Sequence, residues 1–248
     1  MQHWELILFF FGVAVLYGSI GFGGGSSYLA ILALYGFEMA EVRSTALLCN
    51  IVVVAGSSAL YLSRHLLPWR RILPLVAMSI PMAFVGGMLP IGERAFFLVL
   101  ATALCIAACL MWFQPQVPEE QNAISTSVTA NTGIGAGIGF LSGMVGIGGG
   151  IFLSPLLHLI RWAQPKVIAA TAAVFILANS IAGLSGQATQ PGFHIQWTLV
   201  LPLLGAVLAG GQLGSRMGIS YFSQMTVKRA TAVLVLYVSL RIFVKYLF

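Results

Sequence analysis

Long apolar runs alternate with short polar breaks along this chain. The runs extend approximately from Trp4 to Gly23, Ser26 to Phe37, Ser44 to Leu62, Ile72 to Leu89 and Ala95 to Phe113. A second set runs from Asn131 to Gly148, Ile151 to Trp162, Val167 to Gln187, Trp197 to Met217 and Ala230 to Leu247. Each is continuously apolar and reads as helix. A helix rises about 1.5 Å per residue, so about 20 residues cover the roughly 30 Å of bilayer hydrocarbon. The pattern predicts an all-α polytopic membrane protein of about 8–10 membrane helical segments, a single membrane domain over 1–248 without a soluble appendage.

The stretch from Gln114 to Ala130, with Pro115, Pro118, Glu119, Glu120, Ser125, Thr126 and Ser127, reads as a solvent-exposed linker between a first repeat at 4–113 and a second at 131–248. The two repeats resemble each other in order. Gly21-Phe22-Gly23-Gly24-Gly25 matches Gly146-Ile147-Gly148-Gly149-Gly150 at an offset of 125, Ser44-Thr45-Ala46 matches Ala170-Thr171-Ala172 at 126, and Trp69 and Pro74 match Trp197 and Pro202 at 128. Internal repeats of this kind are common in transporter folds. Cytoplasmic loops are enriched in Lys and Arg, so the distribution of these cations over alternate breaks indicates orientation. If each half crosses five times, or crosses three times and adds a re-entrant hairpin at its glycine cluster, one side receives eight cations and the other four. Four crossings per half would divide them seven to five, so an odd count is expected. That makes the repeats inverted, with both termini facing away from the cytosol.

Composition supports a membrane solvent. Of 248 residues, 59% are hydrophobic and 7% charged, against about a quarter charged in soluble domains. The net charge of +6 comes from cations in breaks and at helix ends, which suit headgroups and cytosol rather than nucleic acid. The N-terminus, Met1-Gln2-His3-Trp4-Glu5, lacks a basic leader and a small-residue cleavage site, so the first run is expected to be retained. Cys49, Cys105 and Cys109 lie in apolar runs and read as buried thiols. The chain has no Asp, and Glu5, Glu38, Glu41, Glu93, Glu119 and Glu120 all fall at segment ends or in breaks. Cation and proton carriers usually place carboxylates within the membrane, which argues here against both. The glycine clusters lack the Lys-Ser or Lys-Thr of a nucleotide P-loop, and Gly133-Ile134-Gly135-Ala136-Gly137 has no preceding strand. His3, His65, His158 and His194 have no ligand-spaced partners; His158 alone is kept as a weak candidate. No catalytic residue, metal or cofactor is expected, and the chain does not read as an enzyme.

Each glycine cluster follows a long apolar run and precedes one of about a dozen residues, too short to span alone. A break at membrane depth survives only where it is buried in protein or lines a cavity. The helix that restarts there begins with amides that have no acceptor in the helix and with a positive partial charge, which an anion satisfies. The candidate substrate-binding residues are therefore Gly23, Gly24, Gly25, Ser26 and Ser27 with Gly148, Gly149 and Gly150. Thr45, Asn50, Thr171 and Asn179 are candidates to complete the cavity, beside Ser44, Ser154 and Ser180. The alternative for the glycines is close helix packing, and for the hydroxyls and amides, ordinary bonds between helices. Arg43 and Arg216 are expected to reach an interface, because a guanidinium at mid-membrane costs at least about 2.5 kcal/mol. Gly139 with Gly143, Gly210 with Gly214, and Gly214 with Gly218 have the spacing of helix contacts and are assigned to packing.

The two glycine-rich turns, the starts at Ser44-Thr45 and Ala170-Thr171, and the late Gly214-Ser215-Arg216 together resemble the TauE/SafE family of sulfite and sulfonate exporters, over nearly the whole chain. The resemblance implies a small permease of prokaryotic plasma membranes that handles sulfite, sulfoacetate or related sulfonates. The expected partners are then a small anionic substrate and the lipid bilayer, with room for a homo-oligomer. In the second half Ile151-Phe152 stands where the first has Ser26-Ser27, so a strictly symmetric site is not expected.

Overall fold

The structure, a computed structural model, describes residues 4–19, 23–113, 127–217 and 224–247. The described residues form ten helices: α1 (Trp4–Ser19), α2 (Gly25–Leu34), α3 (Met39–Ser63), α4 (Trp69–Met88), α5 (Glu93–Trp112), α6 (Val128–Val145), α7 (Gly150–Leu159), α8 (Pro165–Gln187), α9 (Trp197–Met217) and α10 (Gln224–Leu247). Six of these, α3, α4, α5, α6, α8 and α9, are long and apolar enough to cross a bilayer. Most of the expected linker lies outside the described residues. Its last residues belong to α6, whose start is capped by the Ser127 hydroxyl accepting from the Ala130 amide at 3.1 Å. Of the first glycine cluster, Gly21 and Phe22 also lie outside.

Exchanging α1–α5 with α6–α10 maps the packing onto itself. The closest pairs are α4 with α6 and α1 with α9; α3 packs on α9 as α8 packs on α4, and α2 on α10 as α7 on α5. Glycines make these contacts backbone to backbone. Gly135, Gly139 and Gly143 of α6 lie against the carbonyls of Leu75, Ser79 and Ala83, and Gly210 and Gly214 of α9 against those of Phe11 and Val15. Within each pair the helices therefore run in the same direction. These glycines do what their spacing indicated; Gly218 lies outside the described residues.

Short α2 does not continue α1 but folds back along it. Tyr28 stacks on Phe10 at 4.7 Å, and the Tyr35 hydroxyl donates to Glu5 at 3.0 Å. The tenth-helix end joins this end of the bundle, Tyr246 accepting from Arg94 through its carbonyl. α7 folds back along α6 likewise, Trp162 Nε1 donating to Asn131 Oδ1 at 3.1 Å, while Arg71 at the start of α4 donates to the Trp162 carbonyl at 2.9 Å. α4 then runs from Arg71 to the opposite end, where Gln190 donates to the carbonyls of Gly87 and Leu89. Each half thus contributes one helical hairpin with a glycine tip, and the two hairpins enter from opposite ends.

Candidate functional site

Both helices break at their glycines because the backbone turns there into the left-handed region. Gly24 (φ 77°) caps α2 and Gly149 (φ 85°) caps α7, while Gly146 (φ 84°) and Gly148 (φ 81°) close the turn out of α6. This region costs an L side chain roughly 1–2 kcal/mol, whereas glycine adopts it freely. The carbonyl of Gly24 accepts from the amides of Ser27 and Tyr28, and that of Gly149 from Phe152 and Leu153. That leaves the amides of Gly25, Ser26, Gly150 and Ile151 pointing out of the helix starts, with no acceptor inside the helix.

The two tips meet. A Cβ on Gly25 would lie 2.7 Å from the Ile147 carbonyl oxygen and would collide with the Asn50 amide. Asn50, on α3, bridges them: its Nδ2 donates to the Ile147 carbonyl at 2.9 Å, and it lines Gly23, Gly25 and Gly148. Ile176 on α8 occupies the equivalent place, against Gly23, Gly148 and Gly150. One turn further along each helix, Val54 faces Gly23 and Ser180 faces Gly148. Polar and apolar residues have thus changed places between the halves, Asn50 and Val54 answering Ile176 and Ser180. The whole assembly is closed: Gly23 to Ser27, Gly148 to Gly150, Asn50 and Ser180 are all buried. Four polar atoms at or beside the tips, Asn50 Oδ1, Ser180 Oγ, Ser142 Oγ and Tyr28 Oη, have no hydrogen-bond partner. Gly149 would reach Ser142 with any side chain, and Gly24 lies under the Tyr28 ring. Buried polar atoms without partners are rare, and each calls for a physical reason.

Not every candidate converges on this point. Ser26 and Ser27 are buried at the start of α2, and the Ser27 hydroxyl is engaged with Tyr17 at 2.9 Å. Thr45 is buried on α3 but five residues before Asn50, about 140° around the helix. Thr171 donates to the Val167 carbonyl and Asn179 to that of Phe175, both within α8. Ser44 likewise bonds back to Ala40. These side chains favour the bland alternative, although Asn179 Oδ1 remains unpartnered. His158 turns back on Ser154 of its own helix, Nδ1 lying 2.8 Å from the Ser154 carbonyl oxygen.

Arg43 overturns an expectation. It does not reach an interface but is 1% exposed, its Nη2 donating to the carbonyls of Gly87 and Gly143 at 3.3 Å each. The cost of a guanidinium at mid-membrane assigned it to an interface. The two glycine-lined neighbours α4 and α6 instead close over it, and that packing is invisible in a single stretch of sequence.

Comparison with known proteins gives one family. The model of the family described as Sulfite exporter TauE/SafE matches residues 6–242. A protein of Sinorhizobium fredii named "Probable membrane transporter protein y4hK" is 32% identical over 252 residues, covering 96% of each chain. "Probable membrane transporter protein MamO" of Paramagnetospirillum magneticum is 25% identical over 86% of this chain and 40% of its own length. "Probable membrane transporter protein YunE" of Bacillus subtilis is 35% identical over a shorter stretch, 32% of this chain and 28% of its own. No solved structure matches.

Proposed function

The chain belongs to the TauE/SafE family of membrane transporters, and from that premise we propose that it is a secondary permease, not an enzyme, for small sulfur-containing anions such as sulfite or organosulfonates. We place it in the plasma membrane of a prokaryote. One observation carries the reading. Two glycine-tipped hairpins meet inside the bundle, Gly25 against the Ile147 carbonyl, so two helix starts direct unpaired amides and partial positive charge toward a common region. The hydroxyls of Ser180 and Ser142 stand beside it without partners and are able to donate to an oxyanion. No carboxylate is buried among the described residues, which favours an anion over a cation.

The two halves are inverted in this reading, since α1 and α6 begin at opposite ends of the bundle. The end carrying Arg64, Arg70, Arg71, Arg161, Lys166 and Arg229 faces the cytosol. The closed tips correspond to an occluded state. Parting them frees Asn50 Nδ2 from the Ile147 carbonyl and makes the amide available to the substrate. For an anion leaving a cell that is negative inside, the potential contributes about 2.3 kcal/mol per charge and 100 mV.

The test is flux in proteoliposomes loaded with sulfite or sulfoacetate, with lactate as the comparison anion. Outward flux of the sulfur anions that rises with a membrane potential is expected. Equal flux from protein-free vesicles, or a rate indifferent to collapse of the potential, speaks against potential-driven export; transport of lactate alone would assign another small organic anion.

A further inference from the structure

Arg43 is the one arginine or lysine buried among the residues whose side chains the structure describes, and its surroundings do not use it fully. It lies on α3 seven residues before Asn50, close to two helical turns, and so on the same face. Gly146, the first residue of the second tip, lies against its backbone: a Cβ added there would fall 3.1 and 3.3 Å from the Arg43 Cα and Cβ. The guanidinium therefore stands directly below the meeting point of the tips, toward the end of the bundle that holds the termini. No carboxylate among the described residues pairs with it. Its Nη2 makes two bonds of 3.3 Å, beyond the usual 2.7–3.2 Å range, and its Nε has no partner. One acceptor, the Gly87 carbonyl, already receives the Gln190 amide at 2.7 Å and does not need the arginine. The Phe96 ring lies 5.8 Å from the guanidinium carbon and supplies a weak cation–π contact.

The repeat sharpens the point. At the offset that pairs Ser44 with Ala170, the counterpart of Arg43 is Ala169, so the charge is not part of the shared architecture. A lone desolvated cation is costly unless something of opposite charge meets it.

Resting on the anion-permease reading above, we propose that Arg43 is a substrate-contacting residue. Its guanidinium receives the oxyanion on the terminus-side flank of the glycine tips, exchanging two long carbonyl bonds for charge-assisted ones. A planar fork suits two oxygens of a sulfite or sulfonate group, and the free Nε supplies the second arm.

The experiment is thermal melting of the purified full chain in detergent, titrated with sulfite, sulfoacetate and sulfate, for wild type, Arg43→Met and Arg43→Lys. Replacing an unpaired buried ion by an apolar residue of similar volume is often neutral or stabilising. Arg43→Met should therefore melt at or above the wild-type temperature without anion, while its half-saturating concentration of sulfite or sulfoacetate rises about tenfold or more. A merely structural clamp predicts the reverse, a low melting point with unchanged anion response, and that result overturns the proposal. Should Arg43→Met not fold, Arg43→Lys decides: it keeps the charge but not the fork, and a raised half-saturation supports the proposal whereas wild-type binding overturns it. A wild type that responds to none of the three anions sinks the permease reading and this inference with it; a responsive wild type with equally responsive variants sinks only the role of Arg43.

Discussion

The side-chain amide of Asn50 donates to the backbone carbonyl of Ile147 at 2.9 Å, joining α3 of the first half to the glycine tip of the second. In the proposed mechanism this bond holds the tips closed on the path of the substrate. Asn50→Ala removes it and leaves a buried carbonyl short of a donor, at a cost of about 1–3 kcal/mol. Asn50→Asp keeps the shape but places an acceptor, or a negative charge, beside two helix starts. Both variants should remain in the membrane with a lowered melting temperature, and Asn50→Asp should lose anion flux entirely. Wild-type flux through Asn50→Asp would remove the tips from the transport path.

Glycine substitutions separate turn geometry from space. Gly24→Ala and Gly149→Ala place a side chain at φ 77° and 85°, costing about 1–2 kcal/mol in strain alone, and a Cβ on Gly149 would press on Phe175 at 2.8 Å. Bulkier replacements at either position should abolish transport. Gly133→Ala and Gly137→Ala, by contrast, meet nothing within 4 Å although they lie in the same helix as Gly143. They should raise stability by roughly 0.5–1 kcal/mol through the lower helix propensity of glycine. Melting curves of the four variants test the contrast.

The ten segments and the breaks at the glycines were legible in the sequence, because apolar run length and glycine order are local properties. The partnership of residues across the tips was not legible. Asn50 and Asn179 are both candidates by polarity, yet it is Ile176 that holds the position equivalent to Asn50, at the offset of 126 that already relates Ser44 to Ala170. Carrying that offset along α8 would have found it. Thr45 and Thr171 looked like cavity lining because they are polar in an apolar run, but a hydroxyl in a helix satisfies itself on the preceding turn, as Thr171 does. Arg43 was misplaced because a cost argument assigns a lone charge to water unless the helices packed around it are known.

Sidedness follows from the hairpins. Glu38 and Glu93 flank the end of the bundle where Tyr35 meets Glu5 and Arg94 meets Tyr246, whereas His65 and Gln164 flank the end where Arg71 meets Trp162. In a background lacking Cys49, Cys105 and Cys109, single cysteines at 38 and 93 should react with an impermeant maleimide applied outside intact cells. Cysteines at 65 and 164 should react only after the membrane is opened. Labelling at 38 and 65 from the same side would mean that α3, which lies between them, does not cross.

The root of the second hairpin is a control for the behaviour of its tip. Trp162 is fully buried; its indole donates to Asn131 at 3.1 Å, its carbonyl accepts from Arg71 at 2.9 Å, and the same guanidinium lies 5.4 Å from its ring. These contacts fasten the ends of α6 and α7 to α4, with residues 150–161 of α7 and its loop between Trp162 and Gly149. If transport parts the tips while the roots stay anchored, Asn131→Leu should lower stability by about 1–3 kcal/mol, because it strands the buried indole N–H, yet leave the half-saturating anion concentration within about twofold of wild type. Asn50→Ala should move both quantities. Parallel melting and anion titration of the two variants would distinguish a rigid root with a working tip from a hairpin that moves as one body, in which case Asn131→Leu would weaken anion binding as much as the tip variant does.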